Sequence, residues 1–225
     1  MDDMSRSRVA RATVTIFKDE ESGPIGQGFL VHGGYILTAA HCVPWSGEGQ
    51  MPLGEYFLVT VIAADGRRLT GQVVAVEPVS DIAVIGSPDG QTFSSQATDF
   101  DNYLESTEGL ILCKDDFPFG AGFPVQIYTH TAEWISGEAT QWGENVPTLS
   151  FETKPPVVAG TSGSAIVNDR GEVVGVVSSA SETAEEAGDS DVYDGTCARP
   201  CQSLPVWLWR AIKSAEKGDN QDVLS

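Results

Sequence analysis

Basic residues are scarce in this 225-residue chain: 13 Lys and Arg stand against 32 Asp and Glu, a formal net charge of −19. A surface so negative repels phosphate backbones, so nucleic acid is not expected as a partner. The plain reading of the acidity is solubility. No apolar run approaches the ~18 residues a spanning helix needs, which leaves no membrane partner expected. Cysteine occurs only at Cys42, Cys113, Cys197 and Cys201, too sparsely for a disulfide-dense scaffold and without a zinc-type CxxC pair. The opening MDDMSRSRVARATVT holds no apolar signal segment, so a cytoplasmic location with free thiols is expected. Internal repeats and low-complexity tracts are missing as well.

What is present is β-forming. Hydrophobic residues make up 41% of the chain, enough for a real core, and 24 Gly and 12 Pro punctuate it. Helix-period stretches are rare. Short runs rich in Val, Ile, Thr and aromatics recur between turn signals. Strands are predicted at Ala12–Phe17, Gln27–Val31, Tyr35–Ala39, Tyr56–Ala63, Gly71–Glu77 and Ile82–Ile85. A second set follows at Gly109–Lys114, Val125–Ala132, Gly137–Thr140, Thr148–Glu152, Ser164–Asn168 and Glu172–Ser178. Gly33-Gly34 and Asp65-Gly66 read as hairpin turns. Thr92–Glu108 is polar and turn-rich, and reads as a connector between two β halves. Ser181–Asp194 carries six acids and no base, a solvated loop. Pro205 then opens the one convincing helix, around Val206–Lys213, and a polar tail follows Gly218.

Three local signals carry chemistry. Leu37-Thr38-Ala39-Ala40-His41-Cys42 closes an apolar strand that follows Gly26-Gln27-Gly28-Phe29-Leu30-Val31. Ser80-Asp81-Ile82-Ala83-Val84-Ile85 opens a strand with an acid, and Gly160-Thr161-Ser162-Gly163-Ser164-Ala165 precedes Gly171-Glu172-Val173-Val174-Gly175-Val176-Val177-Ser178. Each alone has a bland explanation as a turn or a packed histidine. Together they match what acyl transfer needs. A serine hydroxyl is a poor nucleophile until a base takes its proton, and an imidazole can take it and return it to the leaving amine. A carboxylate on the far ring nitrogen fixes the tautomer, and glycine lets two backbone amides converge on the oxyanion.

On TAAHC, DIAVI and G-T-S-G-S followed by G-E-V-V-G-V-V-S, roughly Thr13–Ile212 resembles the trypsin-like, chymotrypsin-fold serine proteases, in the style of the non-zymogen HtrA-like bacterial peptidases. The resemblance implies an all-β fold of two antiparallel six-stranded barrels, an active site in the cleft between them, and a C-terminal α-helix. Residues 8–95 would form the first barrel with His41 and Asp81, 96–108 the connector, 109–204 the second barrel with Ser162, 205–217 the helix and 218–225 the tail. His41 is then the general base, Asp81 its orienter and Ser162 the nucleophile, with the amides of Gly160 and Ser162 as oxyanion hole. Ser178 would stand behind the Asp–His pair, and Ser178, Ser179 and Ala180 would pair with an extended substrate. Pro156, Gly195 and Ala180 would line the primary specificity pocket.

Departures from the family pattern matter too. Thr161 stands where digestive relatives carry an Asp, so activation by an inserted N-terminus is not expected. Cys42 has no cysteine near Gln27 to pair with and reads as a small buried hydrophobe. Cys197 and Cys201 read as unpaired. His32 and His130 read as non-catalytic, the tryptophans as packing residues, and no metal or cofactor is implied. The neutral pocket favours an uncharged apolar side chain before the scissile bond, while the acidic Ser181–Asp194 loop favours a basic one. The expected function is a serine endopeptidase acting on protein or peptide substrates. The alternative is a silent or partner-activated peptide-binding module, either reading being compatible with a larger parent protein.

Overall fold

Helix-end chemistry shapes the first residues. Asp2 accepts a hydrogen bond from the Ser5 amide at 2.8 Å, and Arg11 lies in the last turn, at the negative end of the helix dipole. The helix so closed, α1 (Asp3–Ala12), buries Val9 and Ala12 and runs straight into the first strand. The computed structural model describes residues 1–17, 23–45, 56–115, 120–142, 148–153, 157, 160–179, 196–200, 204, 206 and 208–210.

The chain is predominantly β. β1 (Thr13–Phe17), β2 (Pro24–Val31), β3 (Tyr35–Ala39), β4 (Leu58–Ala63), β5 (Arg68–Glu77) and β6 (Ile82–Gly86) close into an antiparallel barrel in the order β1-β2-β3-β6-β5-β4. Alternation drives the closure. In β4 the odd members Val59, Val61 and Ala63 are buried while Leu58, Thr60 and Ile62 are only partly covered. Gly33-Gly34 and Asp65-Gly66 make the expected turns, β2 to β3 and β4 to β5.

A second antiparallel set follows: β7 (Gly122–Tyr128), β8 (Trp134–Trp142), β9 (Thr148–Thr153), β10 (Ala165–Val167), β11 (Val173–Ser179) and β12 (Thr196–Pro200). Their order is β10-β11-β12-β9-β8-β7, and β10 pairs back onto β7. β10 is buried on both faces: Ala165 and Val167 join the core that the first barrel shares, and Ile166 joins a separate core with Val125, Ile127, Val174 and Val177. That is why its sequence is continuously apolar.

Four expectations change. α1 replaces a segment read only for export signals. Thr92–Glu108 is helical rather than turn-rich, since most of it forms α2 (Ser94–Ser106). Only Ala97, Phe100 and Tyr103 of α2 are buried, a three-residue spacing diluted by polar neighbours, and Arg67 lies over the Tyr103 ring at 5.4 Å. Gly109–Lys114 is not a strand of either sheet. Its backbone bonds divide between them: Leu110 bridges to β2, while Leu112 and Cys113 meet Val173 of β11. β12 was not anticipated, since Pro200 and a short run disguise it. Of the C-terminal helix, Val206 and Leu208–Arg210 are helical, and the rest of the expected span lies outside the described residues.

Candidate active site

His41 sits in a single 3₁₀ turn, Ala40–Cys42, directly after β3. Asp81 immediately precedes β6, and β3 pairs with β6 from Ala39↔Ile82 onward, so the register delivers the two residues to the same end of the barrel. Asp81 takes a φ of 48°, a left-handed conformation that Asp tolerates better than most side chains. Five hydrogen bonds hold it there, one of them from its own amide to Pro78 O at 3.3 Å. Its carbonyl accepts the Ala40 amide at 3.1 Å, and its Oδ1 accepts the His41 amide at 3.1 Å. Its Oδ2 accepts His41 Nδ1 at 2.9 Å and the Ser178 hydroxyl at 2.6 Å. An ionised Asp81 therefore places the imidazole proton on Nδ1 and leaves Nε2 as the acceptor.

The electrostatics follow the contacts. The Asp81 hydrogen bond raises the His41 pKa above its ordinary 6.5, the Cys42 thiol adds to the rise, and partial burial works against it. For Asp81, partial burial opposes ionisation, but the bonds from His41 and Ser178 outweigh it and hold the carboxyl below its ordinary 3.8. Each contact thus favours the partner's charged form, which supports the imidazolium and carboxylate reached once a histidine has taken up a proton.

Ser162 lies in the turn before β10, where the Ser164 amide donates to Thr161 O at 3.1 Å. β11 grips this turn: Gly163 N donates to Val177 O at 2.7 Å, and Val177 N to Ser164 O at 3.0 Å. The first barrel grips it from the other side, with Gln27 N donating to Ser162 O at 2.7 Å and the Cys42 thiol 3.8 Å from the same oxygen. Gly163 is required here. Its φ is +83°, and a Cβ on it would lie 2.1 Å from the Gln27 carbonyl. The backbone of Ser162 thus touches the residue next to His41. Among the described residues no hydrogen bond joins the His41 ring to the Ser162 hydroxyl.

The other expected site residues divide. Gly160 has a φ of +89°, and the His130 ring packs against it, 3.3 Å from where a Cβ would be. Thr161 is fully buried. Ser178 and Ser179 end β11, with Ser179 paired to Cys197. Ala180, Pro156 and Gly195 lie outside the described residues, as do the acidic loop and Cys201. Cys42 and Cys113 are free and buried. Three residues that the motifs contain but gave no role belong to the site's frame: Gln27, Thr38 and Ser164, all buried and polar. A glutamine between two glycines in an otherwise apolar strand was the available signal.

Cys113, Asp115 and Glu172 bring ligand-type atoms within 4.8 Å of one another. Arg170 pairs with both carboxylates, so a fixed cation already satisfies the cluster.

Residues 26–176 match the family model of the trypsin-like peptidase domain. The chain is 27% identical over 162 residues to the probable serine protease do-like of Buchnera aphidicola subsp. Acyrthosiphon pisum, covering 71% of this chain and 30% of that protein. It is 30% identical over 158 residues to the putative serine protease HhoA of Synechocystis sp., covering 67% of this chain and 36% of that protein. The chain thus spans about a third of the length of these curated relatives. The serine endoprotease of Yersinia pestis superposes with a TM-score of 0.61 at 18% identity, covering 94% of this chain and 66% of that one. A matching domain model, two protease relatives and a shared fold place this chain in the trypsin-like peptidase family, as an HtrA-like serine protease domain.

Proposed function

We propose that the chain is a serine endopeptidase working through His41, Asp81 and Ser162. The observation that carries this reading is the Asp81–His41 pair, oriented through Nδ1 and backed by Ser178, at the same junction as the Ser162 turn. In the proposed reaction Ser162 Oγ attacks the peptide carbonyl and its proton passes to His41 Nε2. The amides of Gly160 and Ser162 take the oxyanion. Collapse expels the amine, protonated by His41, and leaves an acyl-enzyme, which water opens by the reverse proton path. Asp81 stays ionised throughout and stabilises the imidazolium.

The same reading takes residues 8–95 and 109–204 as two six-stranded barrels with the cleft between them, 96–108 joining them, and 205–217 as a closing helix. Ser178, Ser179 and Ala180 would accept substrate as an added strand. Pro156 and Gly195 would border a neutral pocket suited to apolar side chains.

A fluorophosphonate probe tests the nucleophile. Labelling at Ser162 in the wild type and none in Ser162→Ala is expected, with kcat on protein substrate down ~10⁶-fold, the loss known for this group in serine proteases. A Ser162→Ala protein of undiminished activity would remove the assignment. A second reading is a latent, partner-activated form. The unmade His41–Ser162 hydrogen bond favours it, and it predicts slow labelling alone and faster labelling once a partner binds.

A further inference from the structure

Ser164 and Gln27 are almost completely buried, 1% and 2% exposed. They lie 137 residues apart, Gln27 on β2 and Ser164 in the turn before β10, yet Ser164 Oγ donates to Gln27 Oε1 at 2.6 Å. We propose that this bond is a latch that positions Ser162 against His41, which makes Gln27 and Ser164 positioning residues. The proposal rests on the reading of Ser162 as nucleophile.

Three observations carry it. First, the contacts of Gln27 concentrate on the nucleophile turn. Its backbone N–H holds Ser162 O at 2.7 Å while its side chain holds Ser164, so one residue fixes both flanks of Gly163. Second, Gln27 leads directly to the element bearing His41. Its carbonyl accepts Thr38 Oγ1 at 2.6 Å, and Thr38, fully buried on β3, stands three residues before the imidazole. Third, the remaining bonds of the turn go to β11, through Val177. Those bonds fix Ser162 in the frame of the second sheet, whereas His41 and Asp81 belong to the first. Gln27, with the longer Cys42 contact, ties the two frames together.

Physical cost points the same way. An amide side chain inside an apolar barrel strand is disfavoured unless its polar atoms are matched. A glutamine serving only its own sheet could bond within it. This one reaches across to the residue two places beyond Ser162. Because nucleophile-to-base geometry is sensitive to shifts near 1 Å, loosening the tie should cost reactivity more than binding.

The test is fluorophosphonate labelling of the intact chain, resolved into kinact and KI, for wild type, Ser164→Ala, Gln27→Met and the double variant. Far-UV circular dichroism and Tm confirm that each is folded. Expected is a kinact about tenfold to a hundredfold lower in each of the first two variants, with KI unchanged. The double variant should be no slower than the slower single one. Folded Ser164→Ala with wild-type kinact overturns the latch, as do losses that multiply in the double variant. If one of the two single variants does not fold, the other decides. A wild type unlabelled at Ser162 is a different failure, since it removes the nucleophile reading and the latch with it.

Discussion

Replacing Asp81 by Asn alters a side chain whose two oxygens accept three hydrogen bonds, and the structure shows which arrangement the variant must choose. Oδ1 faces the His41 amide at 3.1 Å, and Oδ2 faces His41 Nδ1 at 2.9 Å and Ser178 Oγ at 2.6 Å. Asn has one oxygen and one NH₂. With NH₂ at the Oδ1 position, two donors confront each other, because a backbone amide cannot reverse. With NH₂ at the Oδ2 position, the Ser178 hydroxyl rotates to accept, and the imidazole shifts its proton so that Nδ1 accepts. The second arrangement loses less and dominates, but it moves the proton to Nε2, where it blocks uptake from Ser162. The expected fall in kcat is ~10⁴-fold, the value known for this substitution in the trypsin-like triad, which corresponds to about 5 kcal/mol of transition-state stabilisation.

The pH dependence carries its own sign. Deprotonation of His41 governs the acid limb of kcat/KM, and its raised pKa sets the wild-type limb above 6.5. Removing the carboxylate removes the largest cause of that rise, so the residual activity of Asp81→Asn should show a limb at lower pH. Stability follows by linkage. The share from His41 is full below its unfolded value near 6.5 and fades as pH rises through the folded value. The share from Asp81 is full above its unfolded value near 3.8 and fades as pH falls through the depressed folded value. The Tm gap between wild type and variant should therefore be widest between pH about 4 and 6.5. Steady-state kinetics on labelled casein and Tm, both against pH, check these points. An Asp81→Asn enzyme within tenfold of wild type, with an unmoved acid limb, refutes the tautomer argument.

Three further perturbations separate the parts. Ser178→Ala removes one donor from an ionised carboxylate, so kcat should fall about tenfold and the acid-side stability loss should move to higher pH, both read from pH titrations of activity and Tm. Gly163→Ala combines a φ of +83° with a methyl aimed 2.1 Å from the Gln27 carbonyl, so labelling of Ser162 should fall more than about a hundredfold, measured with the same probe. Phe100→Ala empties the buried face of α2 and should destabilise by about 3–5 kcal/mol in urea titration, with the labelling rate of the folded fraction unchanged.

Legibility in the sequence tracked the range of the forces involved. Tyr35–Ala39 was readable to the residue because the Gly33-Gly34 turn marks its start and a short strand-forming run, buried from Ile36 to Ala39, follows without a break. α2 was hidden because three buried residues, Ala97, Phe100 and Tyr103, set its orientation while ten others face outward or stay half-covered. α1 was hidden because its strongest signal, Asp2 capping Ser5, is common in coil as well. Gly109–Lys114 has the composition of a strand, but its bonds are divided between two sheets, which no local pattern can express. The site shows the same rule. His41, Asp81 and Ser162 stood out because each sits in a tight local motif. The Gln27–Ser164 bond did not, since neither residue carries a sign of the other across 137 positions.

That distribution has a structural consequence for the site. The first barrel by itself can orient His41, because Asp81 reaches the imidazole through the β3–β6 register. The second sheet by itself can shape the Ser162 turn through Val177. Neither can set the separation between base and nucleophile. Polar contacts from opposite sides span that gap: Ser178 of β11 reaches Asp81 behind the imidazole, while Gln27 of β2, with the longer Cys42 contact, reaches Ser162 and Ser164 in front of it. Apolar burial brings the sheets together but does not resolve direction at the scale proton transfer requires. Hydrogen bonds do, because a donor and acceptor at 2.6 Å tolerate little sliding. In the proposed mechanism the alignment of base and nucleophile is therefore decided at the sheet junction, where the buried polar residues Gln27, Thr38 and Ser164 meet.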